Sequence, residues 1–220
     1  MYMQVVGHKP DPGMVVGIDE AGKGCVVGDL VIGAVFWPDE KAPVAGLRDS
    51  KKLRSEKREM LFKELKARCP CVTISIHAHE IKPKNILDLQ IAATRMILRK
   101  FRPRRAVIDC PHSTPAKFVR LLACPHVDIL AEHKADDRYP ITSAGSIVAK
   151  VVRDRKIRLI SKLVDRDIGC GYPGDMKTRS WLEYLAEAPD EPAGRLIRWG
   201  WSTCKDIFGD ARVARELNGR

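Results

Sequence analysis

Carboxylate side chains follow short apolar, strand-like runs at three separate places in the chain: Asp19 with Glu20, Asp109, and Asp136 with Asp137. A buried carboxylate without a partner is strongly unfavourable, so acids at the ends of apolar strands indicate a metal ion or another functional partner. In open α/β sheets, ligands bind beyond the carboxyl ends of the strands, where these acids meet if the strands are neighbours. Carboxylate oxygens favour Mg²⁺ or Mn²⁺, and two such ions roughly 3.5–4 Å apart can activate water for attack on a phosphodiester.

The first acid pair leads into a turn in which two glycines flank a lysine: Gly22, Lys23 and Gly24. Along a strand, Asp19 and Glu20 point to opposite faces, so both can serve one ion only where the strand ends. The glycines supply that break and let a ligand come close to the backbone. An ordinary strand that ends in an acidic β-turn is the alternative interpretation.

The composition indicates a basic protein of the reducing cytoplasm. Lys and Arg outnumber Asp and Glu by 39 to 28, which gives a net charge of +11. Such a charge around clustered acids favours a polyanionic partner, although ordinary solubility charge is an alternative. The seven cysteines are scattered and form no C-x-x-C pair, which predicts free thiols in place of disulfides or a zinc site. With neither a leader peptide nor an apolar run of about 18 residues, we expect no membrane segment.

Apolar periodicity predicts an α/β fold. We predict strands from residue 15 and over 26–37, 72–78, 106–108 and 127–131. Helices are predicted over 55–68, 85–101, 115–123 and 140–163. His77 and His79 share a face of one predicted strand, which fits a metal pair or, in the interpretation that we favour, the polar face of an edge strand.

Several blocks of the sequence together resemble ribonuclease HII, the type 2 ribonuclease H, in the form found in archaea. The blocks are G-I-D-E-A-G-K-G at 17–24, V-V-G-D-L-V-I-G-A-V at 26–35, R-D-S-K-K-L at 48–53, the strand before Asp109, H-K-A-D-D-R-Y-P-I-T-S-A-G-S-I-V-A-K-V at 133–151, and G-C-G-Y-P at 169–173. Similarity runs from about residue 14 to 182, and the first block and the stretch 135–151 are the most specific.

The resemblance implies a ribonuclease H-like fold, with a five-stranded mixed sheet flanked by helices. It divides the chain into a catalytic domain over 1–165 and a mainly helical extension over 166–220 that helps to hold the substrate. It also implies four acids that are both catalytic residues and metal ligands: Asp19, Glu20, Asp109 and Asp136. Asp136 is preferred to Asp137 because the acid of the family lies ten residues before the position of Ser146.

The family cleaves the RNA strand of RNA/DNA hybrids and nicks DNA at embedded ribonucleotides, leaving 3′-hydroxyl and 5′-phosphate ends. By resemblance, the 2′-hydroxyl is sensed by the backbone of Gly22, Lys23 and Gly24 and by the ring of Tyr172. The family usually has Arg in place of Lys23, and Lys cannot form the same two-pronged contact with phosphate. A second departure is Gly145 in place of Ala, with an expected loss of up to about 1 kcal/mol of helix propensity.

Some of these residues also have plain structural interpretations. Asp49, Ser50 and Lys51 resemble the segment of the family that contacts phosphate, but a turn before a helix cap would look the same. Tyr172 also fits a tyrosine packed in a Gly-Pro turn. The resemblance further implies a monomer, and the tail from 205 to 220 lacks the sliding-clamp peptide of some archaeal relatives.

Two other functions compete with this prediction. A catalytically silent module that binds RNA/DNA hybrids would retain the same fold, although the presence of all four acids argues against it. A Mg²⁺-dependent phosphatase with Asp19 as nucleophile would need a D-x-D arrangement, and the chain has Asp-Glu at that place.

Overall fold

The computed structural model describes residues 1–39, 41, 43–47, 53–188 and 193–218. Its strands are β1 (Tyr2–Val6), β2 (Val15–Ala21), β3 (Leu30–Trp37), β4 (Cys71–Ile76), β5 (Arg105–Asp109) and β6 (Asp128–Glu132). Its α-helices are α1 (Ser55–Arg68), α2 (Ile86–Phe101), α3 (Pro115–Leu122), α4 (Ala135–Arg138), α5 (Pro140–Leu163), α6 (Met176–Glu187), α7 (Ser202–Phe208) and α8 (Asp210–Asn218). Short 3-10 helices cover Ala78–Glu80 and Gly194–Leu196.

The strands form one mixed sheet with the order β1-β4-β3-β2-β5-β6. The pairs β1–β4, β4–β3 and β3–β2 are antiparallel, whereas the pairs β2–β5 and β5–β6 are parallel. The predicted α/β fold with a mixed sheet flanked by helices is therefore confirmed. In the described residues the sheet has six strands instead of five, because Tyr2–Val6 pairs with β4 along one edge. This edge strand is largely exposed, so its sequence lacks the regular apolar alternation that identifies a half-buried strand.

Both faces of the sheet are covered by helices. Val16 and Ile18 of β2 belong to the apolar cluster that includes α2 and α3. Val15, on the opposite face, belongs to the cluster that includes α1 and α5. Consecutive residues of β2 thus alternate between two buried layers, as the two-residue period of a strand requires.

Helix α5 lies directly against β2 and β3 because glycines line the contact. A Cβ atom on Gly17 would collide with the Ile141 carbonyl, and one on Gly33 would collide with the Gly145 carbonyl. A Cβ atom on Gly145 itself would lie 2.8 Å from the carbonyl oxygen of Gly17. The departure at Gly145 therefore has a packing role in this chain, in addition to its effect on helix propensity.

The segment after the glycine turn differs from the prediction. The strand predicted over 26–37 begins only at Leu30, since Gly28 has a φ of 86°, outside the range of a strand. The backbone N–H groups of Val26 and Val27 instead donate to the Gly171 carbonyl, at 2.9 and 3.2 Å. Val26 and Val27 belong to a third apolar cluster, formed mainly with the C-terminal helices. The glycine turn is therefore packed against the C-terminal part of the chain.

Among the described residues, no helix combines the length and the apolar character that crossing a membrane would require.

Candidate active site

Two of the predicted acids lie side by side at the carboxyl ends of parallel strands. Ile18 of β2 is paired in register with Ile108 of β5, so Asp19 and Asp109 follow at the same end of the sheet. Asp19 is only 5% exposed and faces the layer of α5, whereas Glu20 points toward the other layer. The structure thus places the acids of β2 and β5 at the sheet edge where the sequence predicted them.

Asp136 reaches the same place from a short helix and not from the end of a strand. Lys134 follows β6 in the left-handed conformation, with a φ of 57°, and turns the chain into α4. The backbone N–H of Ala135 then donates to Oδ1 of Asp109 at 2.9 Å. Asp136 follows immediately and is 3% exposed. The prediction of a third strand-end acid was thus inexact, because a helical turn intervenes between the strand and the acid.

The acids influence one another electrostatically. The pKa of Asp19 is raised to about 7, mainly by burial and in part by the nearby charges of Asp109 and Asp136. Burial raises the pKa of Glu20 to about 8, and the charges of Asp19 and Asp109 act in the same direction. Carboxylates that affect one another in this way lie close together in a site of low polarity. Such clusters are a mark of functional sites.

A polar pair on α5 supports the charged form of Asp19. The Lys150 ammonium donates to Oγ of Ser146 at 2.7 Å. The Ser146 hydroxyl is hydrogen-bonded to the Asp19 carboxylate and lowers its pKa. Sequence reasoning missed this role, although the spacing of four residues on a predicted helix placed Ser146 and Lys150 on one face.

These acids line a cleft of about 610 Å³ together with the glycine turn and Tyr172. Its remaining charged lining is mainly basic: Arg58, Lys150, Arg153 and Arg158, with Asp154. Lys23 lies at the rim, where its Nζ donates to the Pro111 carbonyl at 3.2 Å. The cleft thus combines a carboxylate cluster with cations suited to a phosphate backbone.

Tyr172 is held in this cleft by contacts beneath its ring. The Arg153 guanidinium lies 5.0 Å from the ring centroid. Arg153 also donates to Sγ of Cys25 at 3.0 Å and to the Cys170 carbonyl. A Cβ atom on Gly24 would lie 3.7 Å from the Tyr172 ring, so the turn and the ring are neighbours. Tyr172 is nevertheless 41% exposed, which leaves much of its surface open to a ligand.

The structure brings eight of the predicted site residues into one cleft: Asp19, Glu20, Gly22, Lys23, Gly24, Asp109, Asp136 and Tyr172. Asp49, Ser50 and Lys51 fall outside the described residues. His77 and His79 follow β4, with their rings stacked 5.7 Å apart. His77 Nδ1 lies 3.3 Å from the Asp29 carboxylate. The two histidines therefore make local contacts and belong to no metal cluster of described residues.

The donor chemistry of the cleft suits a hard divalent cation. All four predicted ligands are carboxylates, and oxygen-only sets favour Mg²⁺ or Mn²⁺ over softer metals. Across the described ranges, no three His, Cys, Asp or Glu side chains converge tightly enough to surround an ion as they stand. Mutual repulsion of carboxylates opposes such convergence until a cation neutralises it. Besides burial, which is the main cause, the charges of neighbouring acids contribute to the raised pKa values of Asp19 and Glu20.

Comparison with known proteins decides the family. The sequence model of Ribonuclease HII matches residues 16–204. The chain belongs to the ribonuclease HII family. It is similar to ribonuclease HII of Methanoregula boonei, with 38% identity over 204 residues that cover 89% of this chain and 94% of that protein.

Two solved structures of ribonuclease HII proteins have the same fold. A chain in the PCNA:RNase HII complex from Archaeoglobus fulgidus has a TM-score of 0.80 at 33% identity, with 88% of this chain and 96% of that chain covered. Ribonuclease H2 from Pyrococcus horikoshii OT3 has a TM-score of 0.78 at 33% identity, with 92% and 99% covered. Membership of the ribonuclease HII family makes this chain a metal-dependent hydrolase that acts on RNA/DNA hybrids, as the resemblance predicted.

Proposed function

We propose that this ribonuclease HII nicks duplex DNA at single embedded ribonucleotides as well as cleaving the RNA strand of hybrids. The products would carry 3′-hydroxyl and 5′-phosphate ends, and the activity would serve ribonucleotide removal in DNA replication and repair. The observation that carries the proposal is the cleft itself, in which a carboxylate cluster lies beside the glycine turn and Tyr172. Catalytic and ribose-sensing groups would then act on one phosphodiester.

Asp19, Glu20, Asp109 and Asp136 would hold two Mg²⁺ or Mn²⁺ ions. Such ions activate a water molecule and stabilise the leaving oxygen during in-line displacement. The carboxylates must lose their protons before they can bind a cation, and the Ser146 hydroxyl favours the charged form of Asp19. Lys150 keeps that hydroxyl oriented through its own hydrogen bond.

The rest of the cleft would bind and orient the duplex. Arg58 and Arg158 line it and are held by ion pairs, Arg58 with Asp154 at 3.0 Å and Arg158 with Glu59 at 2.7 Å. Their positive charge supports phosphate binding. The backbone of the glycine turn would meet the 2′-hydroxyl, and the half-exposed Tyr172 ring would pack against a neighbouring sugar. Because the 2′-hydroxyl distinguishes RNA from DNA, these groups would set the preference for a ribonucleotide.

Further properties stay proposals of the same kind. We infer a monomer with a catalytic domain over 1–165 and a substrate-binding extension over 166–220. The third apolar cluster, built mainly from that extension, supports this division. The A. fulgidus protein was solved in complex with PCNA, whereas residues 205–220 of this chain show no peptide of the clamp-binding kind. Seven free cysteines, six of them buried, support a reducing cytoplasm.

A nicking assay tests the proposal. The protein is incubated with Mg²⁺ or Mn²⁺ and a DNA duplex that carries one ribonucleotide in a labelled strand, and the matched all-DNA duplex is the control. We expect one nick at the ribonucleotide, no cut in the all-DNA duplex and no reaction in a chelator. Cleavage of a continuous RNA/DNA hybrid without any nick at the single ribonucleotide would overturn the proposal while leaving the family's activity intact.

A further inference from the structure

Arg198 is a fully buried cation that touches the glycine turn. Its side chain is 0% exposed and comes from the C-terminal part of the chain, just after the 3-10 helix Gly194–Leu196. Its Nη1 donates to the Lys23 carbonyl at 3.0 Å, and its Nε donates to the Gly28 carbonyl at 2.9 Å. One guanidinium therefore holds both ends of the segment that links the turn to β3.

The backbone around Arg198 strengthens this connection. The Arg198 N–H donates to the Val26 carbonyl at 2.8 Å, and the Gly28 N–H donates to the Leu196 carbonyl at 2.9 Å. Val27 and Ile197 form an antiparallel bridge between these hydrogen bonds. The segment from 26 to 28 is thus paired with the C-terminal extension as well as with the Tyr172 loop.

Burial of Arg198 carries an energetic cost that packing alone does not explain. Loss of hydration lowers the pKa of its guanidinium to about 10, and the like charge of Arg153 acts in the same direction. A buried guanidinium is unfavourable unless its hydrogen bonds compensate, and an apolar side chain of similar size is often at least as stabilising. The presence of a cation at this position is therefore explained by the backbone groups that its N–H donors hold in place.

Those donors fix the direction of one peptide group. The chain contains no cis peptide bond among its described residues, so the C=O of Lys23 and the N–H of Gly24 point in opposite directions. With the Lys23 carbonyl turned inward to Arg198, the Gly24 N–H points away from Arg198. Gly24 lines the cleft next to Tyr172, whereas Arg198 lies beneath the turn.

We propose that Arg198 is a positioning residue for ribose recognition, which directs the Gly24 N–H into the cleft by binding the Lys23 carbonyl. The inference rests on the proposed function, in which the glycine turn meets the 2′-hydroxyl. It assigns to the C-terminal extension a part in substrate selection in addition to duplex binding. Arg198 itself touches no substrate and acts only through the turn.

Two variants and a matched control test the role. Arg198→Met removes both side-chain donors at similar length, and Arg198→Lys keeps the charge but cannot reach both carbonyls with a planar fork. The control is Arg212→Met, because Arg212 also donates to backbone carbonyls, those of Leu185 and Ala186 at 3.1 and 3.3 Å, but lies outside the cleft. Circular dichroism establishes that each variant is folded.

The readout is ribose discrimination, which a merely structural role would leave unchanged. Without a catalytic metal, the affinity for a duplex with one ribonucleotide is compared with that for the all-DNA duplex, and kcat/KM for nicking is then measured with Mn²⁺. For Arg198→Met we expect the two duplexes to bind with nearly equal affinity. We also expect kcat/KM to fall by about 100-fold, because small displacements of a positioning group have effects of this size. The kcat/KM of Arg198→Lys should fall by about 10-fold, whereas Arg212→Met should keep the wild-type affinity ratio and kcat/KM.

The outcomes separate this inference from the proposed function. If the wild-type protein does not nick the single ribonucleotide, the proposed function fails, and the inference fails with it. If the wild-type protein nicks and folded Arg198→Met keeps the wild-type ratio and kcat/KM, the inference alone is overturned. If Arg198→Met does not fold, Arg198→Lys decides by the same two measurements, and wild-type values there overturn the inference.

Discussion

Oδ1 of Asp109 accepts a hydrogen bond from the backbone N–H of Ala135 at 2.9 Å. One acid of the cluster therefore holds the turn that presents the next acid, Asp136. The same carboxylate carries the negative charge that raises the pKa values of Asp19 and Glu20. The structural role of Asp109 needs an accepting oxygen, whereas its chemical role needs a negative charge, so substitution can separate the two roles.

Asp109→Asn should abolish most cleavage while it preserves the fold of the site. The amide oxygen can still accept from Ala135, whereas the negative charge is lost. We expect kcat for hybrid cleavage to fall by about 10²–10³-fold, as for loss of one electrostatic catalytic group, with little change in hybrid affinity. Steady-state kinetics and binding without metal provide the measurement. Wild-type turnover would remove Asp109 from the catalytic set, and loss of hybrid binding would show that its role is structural.

The same substitution should stabilise the metal-free protein at alkaline pH. The charge of Asp109 raises the pKa values of Asp19 and Glu20, so its removal relieves repulsion once those groups ionise. We expect a gain of about 1 kcal/mol at pH 8.5, or about 2–4 °C in Tm, and almost none at pH 5. Thermal unfolding in a chelator measures both. A lower Tm at pH 8.5 would contradict the predicted repulsion.

The metal-free wild-type protein should itself lose stability as the pH rises. The folded-state pKa values of Asp19 and Glu20, about 7 and 8, exceed their ordinary values of 3.8 and 4.5, so the folded protein retains protons that the unfolded chain has released. Their stabilising contribution is fully present below about pH 4 and is progressively lost as the pH rises to about 8. Each group contributes at most about 1.4 kcal/mol per pH unit. Denaturant titrations in a chelator from pH 5 to 9 measure the free energy of unfolding, and an increase of this free energy with pH would refute the prediction.

Ser146→Ala should shift the pH dependence of activity. The hydroxyl lowers the pKa of Asp19, so its removal should raise that pKa. The metal-binding carboxylate would then form only at higher pH. We expect the acidic limb of the kcat/KM profile to move by about one pH unit toward alkaline pH. Ser143→Ala is the matched control, because its hydroxyl donates to the Leu47 carbonyl at 2.5 Å and not to an acid. Equal profiles for the two variants would refute the proposed role of Ser146.

Gly17→Ala should damage both the fold and the site. Gly17 lies two residues before Asp19, and a Cβ atom on Gly17 would collide with the backbone of Ile141 in α5. We expect a loss of about 3 kcal/mol in the free energy of unfolding, measured by chemical denaturation. Gly174→Ala is the control, since no atom lies within 4 Å of the added Cβ, and its effect should stay within about 0.5 kcal/mol. A similar small effect at Gly17 would show that α5 can move away from the sheet.

The sequence predicted the parts of this fold that depend on local patterns. The helices over 55–68, 115–123 and 140–163 and the strand before Asp109 lie at or within a residue of their predicted bounds. Apolar spacing reports the buried face of such elements directly. The shared location of Asp19 and Asp109 was also predictable, because neighbouring parallel strands present their carboxyl ends at one edge.

Interactions between distant segments could not be predicted in this way. Arg198 lies 175 positions from Lys23, and nothing in its local sequence indicates that its side chain is buried beneath the glycine turn. The late start of the second predicted strand has the same origin, since Val26 and Val27 are valines whose partner is the distant Gly171. Asp136 lies in a helical turn because Lys134 adopts a left-handed conformation, which has no strong signal for a lysine.

Anomalous diffraction from crystals soaked in Mn²⁺ would locate the metal ions of this enzyme. We expect two manganese peaks roughly 3.5–4 Å apart in the cleft, with carboxylate oxygens of Asp19, Glu20, Asp109 and Asp136 as ligands. Manganese bound only elsewhere on the protein would contradict the claim that this cluster is the metal site of the enzyme.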